Sequence, residues 1–416
     1  MNNCDVLVLG AGIIGLSTAY QIARRSKLKV CIVEKGAALG EGSTGASSAI
    51  LRHRYSIDNM VFLARDGINC YREWQSFTGI TKPRMQFMPH GVLWMPGEEL
   101  AWSESEHRRL NGLGITSVVL DDQNLRERFP AINPCIHTPD TLTGSEHTCE
   151  TGGSHLLEPD GGFSDPVAAM EDLLEACQRE AVDIRMNTHV SAINVLSGIV
   201  SGVTLSDGSS MEAGIVVNAL GPWCGPLNAS AGLKPTAELT PTRIQVLYLD
   251  LPSEPGSILP MPLPACADLG GVYFRTQNNN QQLVVGSTLE SDEFEIVHDP
   301  DNFDRFPDED FKMRALHLLH HRLPDLPYRG SVRGYCGLYT INRSDVHPIV
   351  GETEVKNLYI ANGFSGHGFK LAPAIGSLLA QTITGNRTDL DTDVPIEFLS
   401  ANREPLIITG QKSALA

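Results

Sequence analysis

A glycine-rich turn between a short apolar strand and an amphipathic helix lies close to the start of the chain. Residues 5–9 (DVLVL) are apolar enough to form a parallel strand that is buried on both faces. Residues 10–15 then read G-x-G-x-x-G, and apolar residues recur at helical spacing as far as Arg25. A second apolar stretch, residues 30–33 (VCIV), ends at Glu34. The order of strand, helix and strand predicts a β-α-β unit, as at the start of a Rossmann-like α/β domain.

The spacing of these residues predicts that the unit binds a dinucleotide. Gly10 permits the tight turn, Gly12 lets the backbone approach a pyrophosphate, and Gly15 lets the helix pack closely on the strand. The free N–H groups at the start of the helix, around Ile14, then point at the phosphates. Glu34 follows Gly15 by 19 residues, where a carboxylate accepts hydrogen bonds from the ribose hydroxyls of an adenosine.

Composition excludes several classes of protein. The chain has 416 residues and a net charge of −17, which argues against a surface that grips nucleic-acid phosphates. No apolar run reaches the roughly 18 residues of a membrane span, and the N-terminus lacks the features of a signal peptide, so we expect a soluble, cytoplasmic protein. The nine cysteines are scattered without a C-x-x-C pair and predict reduced thiols, with neither a disulfide framework nor a metal site.

The segment that follows the β-α-β unit is rich in small residues. An NAD-binding enzyme usually continues with further β-α units, whereas residues 40–56 here read GEGSTGASSAILRHRYS. The small residues 42–48 allow the backbone to approach a flat ring and to donate hydrogen bonds to phosphate or ring oxygens. Arg52, His53 and Arg54 follow directly.

Two kinds of sequence alternate along the rest of the chain. Asp165 is predicted to cap a helix over residues 166–181, with Pro166 at its first position. Residues 222–332 are dense in proline and contain short β-like runs, as does an insertion near residues 78–150. The prediction is an α/β protein in which a discontinuous, Rossmann-like dinucleotide domain (residues 1–77, 151–222 and 333–416) is joined to a β-rich substrate domain (residues 78–150 and 223–332).

A second glycine-rich motif carries a family resemblance. Residues 363–370 read GFSGHGFK, and DGGFSDP (160–166), NALGPW (218–223) and YTINRSDVHPIVG (339–351) precede it. Together with the N-terminal motif, they resemble the D-amino-acid-oxidase-like superfamily of FAD enzymes, in particular its sarcosine oxidase and glycine oxidase branch. The resemblance covers nearly the whole chain and implies that the dinucleotide is FAD.

The resemblance also implies roles for individual residues. Arg52 and Lys370 are expected to hold the carboxylate of a substrate, with His367 beside the flavin and Tyr339 in the substrate pocket. Val190 resembles the position whose backbone contacts the adenine. The complete set of predicted cofactor-binding residues is Gly10, Gly12, Ile14, Gly15, Glu34, Lys35, Ser43, Thr44, Ala46, Ser47, Ser48, Val190, Ala219, Gly221, Trp223, Gly337, Gly363, Gly366, His367, Gly368, Phe369 and Lys370.

Three positions depart from the pattern of the sarcosine oxidases. Gly337 stands where monomeric sarcosine oxidases link the flavin through a cysteine, and Cys336, one residue earlier, faces the other side of a strand. We therefore expect FAD to be bound non-covalently. Val284 aligns with the oxygen-activating lysine, and Thr288 with a histidine of the pocket. Because both family residues are replaced, the electron acceptor can be oxygen or a different molecule, and the substrate can be an amine other than sarcosine.

The resemblance and these residues predict an enzyme that oxidises the C–N bond of a small amino acid or N-methyl amino acid to an imine, which water then hydrolyses. A guanidinium and an ammonium that converge on one carboxylate form a sound clamp, because arginine binds in bidentate geometry and lysine adds a second charge. Two alternatives stay open. The same scaffold could oxidise a 2-hydroxy acid, which generally needs a base in the pocket, or the chain could carry flavin as an assembly protein without turnover.

Overall fold

The described part of the chain forms two large β-sheets with helices packed against them. The computed structural model describes residues 3–143, 145–234, 237–251, 262–326, 331–408 and 413–415. The strands are β1 (Asn3–Leu9), β2 (Val30–Val33), β3 (Ile50–Leu51), β4 (Val92–Met95), β5 (Val118–Asp121), β6 (Ser154–Glu158), β7 (Gly162–Phe163), β8 (Asp183–Arg185), β9 (Val190–Leu196), β10 (Ile199–Leu205), β11 (Ser210–Asn218), β12 (Leu239–Asp250), β13 (Ala265–Asp268), β14 (Val272–Gln277), β15 (Gln282–Gly286), β16 (Val332–Asn342), β17 (Ile349–Glu352) and β18 (Leu358–Asn362).

The helices cover these sheets. They are α1 (Ile13–Arg25), α2 (Asp58–Arg72), α3 (Trp74–Thr78), α4 (Leu100–Gly112), α5 (Asp122–Arg128), α6 (Pro166–Arg179), α7 (Cys224–Ser230), α8 (Glu309–Arg322) and α9 (Gly368–Thr384). Short 3₁₀ helices span Gly221–Trp223, Glu290–Glu293 and Ile396–Leu399. Among the described helices, none is both long and apolar enough to cross a membrane. The cytoplasmic location stays a prediction.

The first sheet contains the predicted β-α-β unit. Its strand order is β17-β18-β11-β1-β2-β8, and the β9–β10 hairpin extends it from β11. Strands β1, β2, β11 and β18 run parallel in its centre, which explains why β1 and β2 are apolar on both faces. The predicted strand–helix–strand order is confirmed, because α1 connects β1 to β2.

Helix α6 starts as predicted and ends earlier. The Asp165 carboxylate accepts hydrogen bonds from the backbone N–H groups of Val167 and Ala168, and Pro166 occupies the first turn. The helix ends at Arg179 and not at residue 181, because Ala181 adopts a left-handed conformation (φ 58°) that a helix cannot continue through.

The second sheet has the order β16-β12-β15-β14-β13-β4-β6-β5. One of its faces packs on α8 through an apolar core that includes Phe274, Val285 and Leu319. Strands β6 and β16 belong to this sheet, although most of their residues fall in the segments assigned above to the dinucleotide domain. The domain boundaries stay a prediction. The sheet order shows that the chain passes from the layer of the second sheet to that of the first after β6 and again after β16.

A close contact between α2 and α9 offers a test of how these two helices pack. Gly67 of α2 lies so near the start of α9 that a Cβ atom there would be 2.2 Å from the carbonyl oxygen of Lys370. We expect Gly67→Ala to destabilise the fold by about 1–3 kcal/mol, as overpacking does, and to lower the melting temperature. Gly112→Ala is the matched control, because its Cβ meets nothing within 4 Å, and we expect it to be neutral or stabilising. Equal melting temperatures for the two variants would contradict this packing.

Candidate active site

A cavity of about 520 Å³ lies at the carboxyl ends of the parallel strands of the first sheet. Gly10 follows β1, Glu34 follows β2, Ala219 follows β11, and Asn362 ends β18, and all four line the cavity. Ligands in open α/β sheets bind at this edge, because the loops that leave the strands and the N-termini of the helices converge there. The first sheet therefore presents a cleft of the size and place expected for a dinucleotide.

The glycine turn of this cleft depends on backbone conformations and contacts that only glycine permits. Gly10 has a left-handed φ of 98°, and a Cβ there would lie 3.0 Å from the carbonyl oxygen of Ala219. A Cβ on Gly15 would lie 1.9 Å from the carbonyl oxygen of Gly10, so α1 packs directly on the turn. The Thr44 hydroxyl accepts a hydrogen bond from the N–H of Ile13 at 3.2 Å. This bond ties the small-residue segment to the start of α1.

Glu34 is held at the edge of the cleft by the backbone. Its carboxylate accepts hydrogen bonds from the N–H of Ala11 at 2.9 Å and of Gly36 at 2.8 Å. Each carboxylate oxygen has lone pairs left for further donors. The geometry suits the recognition of ribose hydroxyls, as the spacing from Gly15 predicts.

A charged and aromatic cluster closes one side of the same cleft. The Lys35 ammonium lies 4.1 Å from the centre of the Trp223 ring and pairs with the Asp301 carboxylate. Trp223 Nε1–H also donates to Asp301 at 2.9 Å. All three residues line the cavity.

Two hydroxyl groups inside the cleft have no partner among the described residues. Ser43 Oγ and Thr340 Oγ1 are buried, line the cavity and make no hydrogen bond. Buried polar groups are normally paired, because an unmet hydrogen bond costs about 1–3 kcal/mol. The orphaned hydroxyls, the glycine turn and the start of α1 together fit a bound dinucleotide.

A smaller cavity of about 90 Å³ adjoins the large one. The two share Ser47, Tyr339, Gly366 and Phe369 in their linings, so a ring bound at that boundary would face both. The small cavity lies between the first layer and the second sheet, and residues of both line it. They include Arg52, Lys370, Trp94, Tyr273 and Glu293.

Arg52 and Lys370 meet at this small cavity. The guanidinium carbon of Arg52 lies 4.2 Å from the centre of the Tyr55 ring, and the Lys370 ammonium lies 5.9 Å from the same point. Both residues are buried, and among the described residues no carboxylate lies within ion-pair distance of either, although Glu158 acts on Lys370 from farther away. Arg52 donates to the backbone carbonyls of Arg54 and, at 2.8 Å, Ala414. Burial, and then the charge of Arg52, hold the pKa of Lys370 well below its usual value.

His367 and Tyr339 take different places around the two cavities. Tyr339 lines both, and burial raises the pKa of its phenol well above the usual value. His367 is fully buried and lines neither, and its Nε2–H donates to the Ala414 carbonyl at 2.9 Å. Burial, and then Lys370 and Arg52, lower the pKa of His367 well below its usual value. The histidine therefore supports the segment near Ala414, and it does not face either cavity.

Most of the other predicted cofactor residues line the large cavity. They are Gly10, Gly12, Ile14, Glu34, Lys35, Ser43, Thr44, Ser47, Ala219, Gly221, Trp223, Gly366, Gly368 and Phe369. Ser48 and Lys370 line the small cavity, and Ala46 and Gly337, together with Cys336, line a third cavity that shares part of its wall with the large one. Gly15, Gly363 and Val190 line none of these three cavities. Val190 is buried instead in the apolar core beside the first sheet.

The geometry at Gly337 bears on the attachment of the cofactor. A Cβ there would lie 2.5 Å from the Cβ of Ala46, so a larger side chain would push the small-residue segment away. Strand β16 pairs with β12 without a bulge from Val332 to Asn342, so Cys336 and Gly337 face opposite sides. Cys336 does not line the large cavity, and burial raises the pKa of its thiol to about 11.

The structure adds two charged residues that the sequence analysis did not single out. Glu293 lines the small cavity, where burial raises the pKa of its carboxyl to about 7, and it accepts the N–H of Ala414 at 3.0 Å. Arg275 is buried and donates to the carbonyl of Ser48, and burial lowers its pKa to about 10. Arg275 stands directly across the ladder from Val284. The sequence does contain one signal for Arg275, because it is a charged residue within the buried strand β14.

Comparisons with known proteins agree with this geometry. The profile of the DAO family, described as FAD dependent oxidoreductase, matches residues 5–382. FAD-dependent oxidoreductase domain-containing protein 1 of Xenopus laevis is 27% identical over 427 aligned positions, which cover 91% of this chain and 79% of that protein. The monomeric sarcosine oxidase of Bacillus sp. (strain B-0618) is 25% identical over 99% of both chains.

Solved structures share the fold. The L-proline dehydrogenase from P. horikoshii superposes with a TM-score of 0.80 at 22% identity, covering 96% of this chain and 97% of that one. The predicted α/β class with a Rossmann-like FAD-binding part and a second, β-rich layer is thereby confirmed. The protein is an FAD-dependent oxidoreductase whose large cavity fits that cofactor, and the chain belongs to the DAO family.

Proposed function

We propose that this enzyme oxidises the C–N bond of a small amino acid or N-methyl amino acid to an imine, which water then hydrolyses. The observation that carries the proposal is the pair of buried cations, Arg52 and Lys370, on the wall of a small cavity that adjoins the FAD cleft. The names of the sarcosine oxidases among its relatives support the same class of substrate.

In this proposal the two cations bind the carboxylate. Neither side chain forms an ion pair with a carboxylate of the described residues, so a substrate carboxylate can provide the partner for both. The Tyr55 ring lies under both and fixes their separation. A substrate bound in this way carries its α-carbon towards the boundary with the large cavity, where Tyr339 and Gly366 lie. The volume of about 90 Å³ favours a small side chain.

FAD, bound non-covalently in the large cavity in our proposal, would supply the redox chemistry, because a flavin can accept an electron pair and a hydrogen from a substrate carbon. The chain's own residues prepare the substrate. The amine must be neutral before the C–H bond breaks and the C=N bond forms, and two nearby cations lower the pKa of an ammonium. We assign the acceptance of that proton to Glu293, because this residue lines the small cavity and burial raises the pKa of its carboxyl to about 7. Water then adds to the imine, which releases the amine and leaves a carbonyl product.

Glu293 also keeps a second candidate open, the oxidation of a 2-hydroxy acid. That reaction needs a base for the hydroxyl proton. No histidine lines the small cavity in the described part of the chain, but the Glu293 carboxyl does. The choice between amine and alcohol therefore depends on the substrate and not on whether a base is present.

Anaerobic bleaching of the flavin tests the proposal. The purified yellow protein, mixed without oxygen with a panel of N-methyl, D- and L-amino acids and 2-hydroxy acids, should lose its absorbance with at least one small amino acid. Bleaching by hydroxy acids alone would establish the second candidate, and bleaching by none would leave a flavin carrier without turnover. Air admitted afterwards shows whether oxygen accepts the electrons, and denaturation shows whether FAD leaves the chain.

The carboxylate clamp is tested with Lys370→Met. We expect acetate, measured by its perturbation of the flavin spectrum, to bind roughly 10–100-fold more weakly, as the loss of a charged hydrogen bond of about 1.5–3 kcal/mol implies. Lys82→Met removes a lysine from an exposed position and should bind acetate normally. In the wild type, affinity should fall as pH rises through the lowered pKa of Lys370, because only the protonated ammonium attracts the carboxylate. Unchanged affinity in Lys370→Met would remove the clamp.

The role of Glu293 is tested with Glu293→Gln. The base must be ionised, so the wild-type kcat/KM for the amine should fall as pH drops below about 7. We expect the variant to lose this limb and to turn over about 10²–10⁴-fold more slowly. Glu104→Gln, at an exposed position of α4 that does not contribute to the raised pKa of Glu293, is the control. A uniform loss of rate with an unaltered pH profile would assign Glu293 a structural role only.

A further inference from the structure

Four side chains of the kinds that commonly bind metals lie close together at the end of α8, and they come from two separate parts of the chain. Cys135, His147 and Cys149 come from the segment between α5 and β6, and His321 comes from the last turn of α8. Each offers one ligand atom, and these atoms all lie within 4.8 Å of one another. None of the four lines the two cavities of the candidate active site.

The distances between these atoms suit a tetrahedral ion. Cys135 Sγ lies 3.4 Å from His147 Nε2, and the rings of His147 and His321 meet edge to face with centres 4.6 Å apart. Zinc bonds of about 2.3 Å to sulfur and about 2.0–2.1 Å to nitrogen separate sulfur from nitrogen by roughly 3.5 Å in a tetrahedron. Two cysteines and two histidines are a common closed zinc set.

The orientation of His321 is an independent sign of a ligand. Its Nε2 atom is buried and has no hydrogen-bond partner in the described structure. The ring is instead fixed by a hydrogen bond to the backbone of His137. A metal-bound histidine typically has one ring nitrogen held in this way, because the bond sets the tautomer and leaves the other nitrogen free for the metal.

Neighbouring groups hold the same arrangement together. Asn133 Nδ2–H donates to Cys149 Sγ at 3.5 Å and to the His321 carbonyl at 2.9 Å. Arg322 Nη1 donates to the carbonyls of Asn133, at 3.0 Å, and Cys135, while its Nε pairs with Asp268 at 2.6 Å. The ligands are therefore brought together by contacts that do not involve a metal. Such an arrangement lowers the entropy lost when an ion binds.

We propose that Cys135, His147, Cys149 and His321 bind one zinc ion in a closed, structural site. Zinc binding would release the two thiol protons and leave two thiolates and two neutral imidazoles around Zn²⁺, a set with no net charge. The ion would fasten the segment that contains residues 133–150 to α8. Because Phe311 of α8 lines the small cavity, the zinc would also stabilise one wall of the candidate substrate site.

The first experiment measures metal content in the full, FAD-loaded protein. Protein produced with added zinc and dialysed against a weak chelator should contain one zinc per chain by elemental analysis. Its zinc K-edge absorption should report two sulfur and two nitrogen ligands. Cys149→Ser and His321→Gln should each lose the stoichiometric zinc. His317→Gln, on an exposed position one turn earlier in α8, is the matched control and should keep it.

The second experiment uses only the wild-type protein, so it does not depend on a variant that folds. A strong chelator should remove the zinc, lower the melting temperature and speed proteolysis between residues 133 and 150, while FAD stays bound. Zinc chloride should restore both properties. The proposal would be overturned if the purified protein contained much less than one zinc per chain and if zinc added to the reduced protein left the melting temperature unchanged. A Cys135–Cys149 disulfide found by mass spectrometry in protein kept under reducing conditions would also overturn it.

Discussion

The burial of two like charges side by side is the constraint on which the site depends. Arg52 and Lys370 are both removed from water and lie against one ring, and burial together with the charge of Arg52 lowers the pKa of Lys370 well below its usual value. Carbonyl groups, the face of Tyr55 and the more distant Glu158 carboxylate offset part of this repulsion. An anionic ligand in the small cavity would offset much more. In the proposed function, this unbalanced positive charge is the reason that the small cavity selects a carboxylate.

The fold keeps these charges together by the packing of helices from both ends of the chain. Arg52 follows β3 shortly after the glycine-rich cleft, whereas Lys370 belongs to the first turn of α9. Helix α9 packs on α1 and α2, and Ser17 of α1 donates to the carbonyl of Ala372 at 2.9 Å. Because Gly67 lets α2 approach the carbonyl of Lys370 itself, helix packing fixes the backbone from which the Lys370 side chain extends. The packing of α9 on α1 and α2 thus connects the cofactor cleft to the wall of the small cavity that contains Lys370.

Local patterns in the sequence predict much of this arrangement, and long-range pairings account for what they miss. The β-α-β unit and the Asp165 cap depend on residues a few positions apart, so their physical cause is visible in the sequence. Glu293 becomes a candidate base only because the 3₁₀ helix packs its carboxyl against the small cavity and residue 414. The cysteines and histidines proposed to bind zinc have no recognisable spacing, because His321 joins the other three only through the docking of α8. The pairing of β6 and β16 within the second sheet also depends on strands that are distant in the sequence.

In the proposed function, the opposite pKa shifts of Lys370 and Glu293 in the small cavity bear on how an amino acid binds and loses its proton there. Burial lowers the pKa of Lys370 and raises that of Glu293, so each group is less strongly charged than it would be in water. A zwitterionic substrate brings both charges at once. Its carboxylate favours a protonated Lys370, and its ammonium has to give up a proton for the oxidation, which Glu293 or Lys370 can accept. Binding and activation can then proceed by moving a proton within the cavity. A simple carboxylate brings no such proton, so its binding must draw one from solvent whenever Lys370 starts neutral.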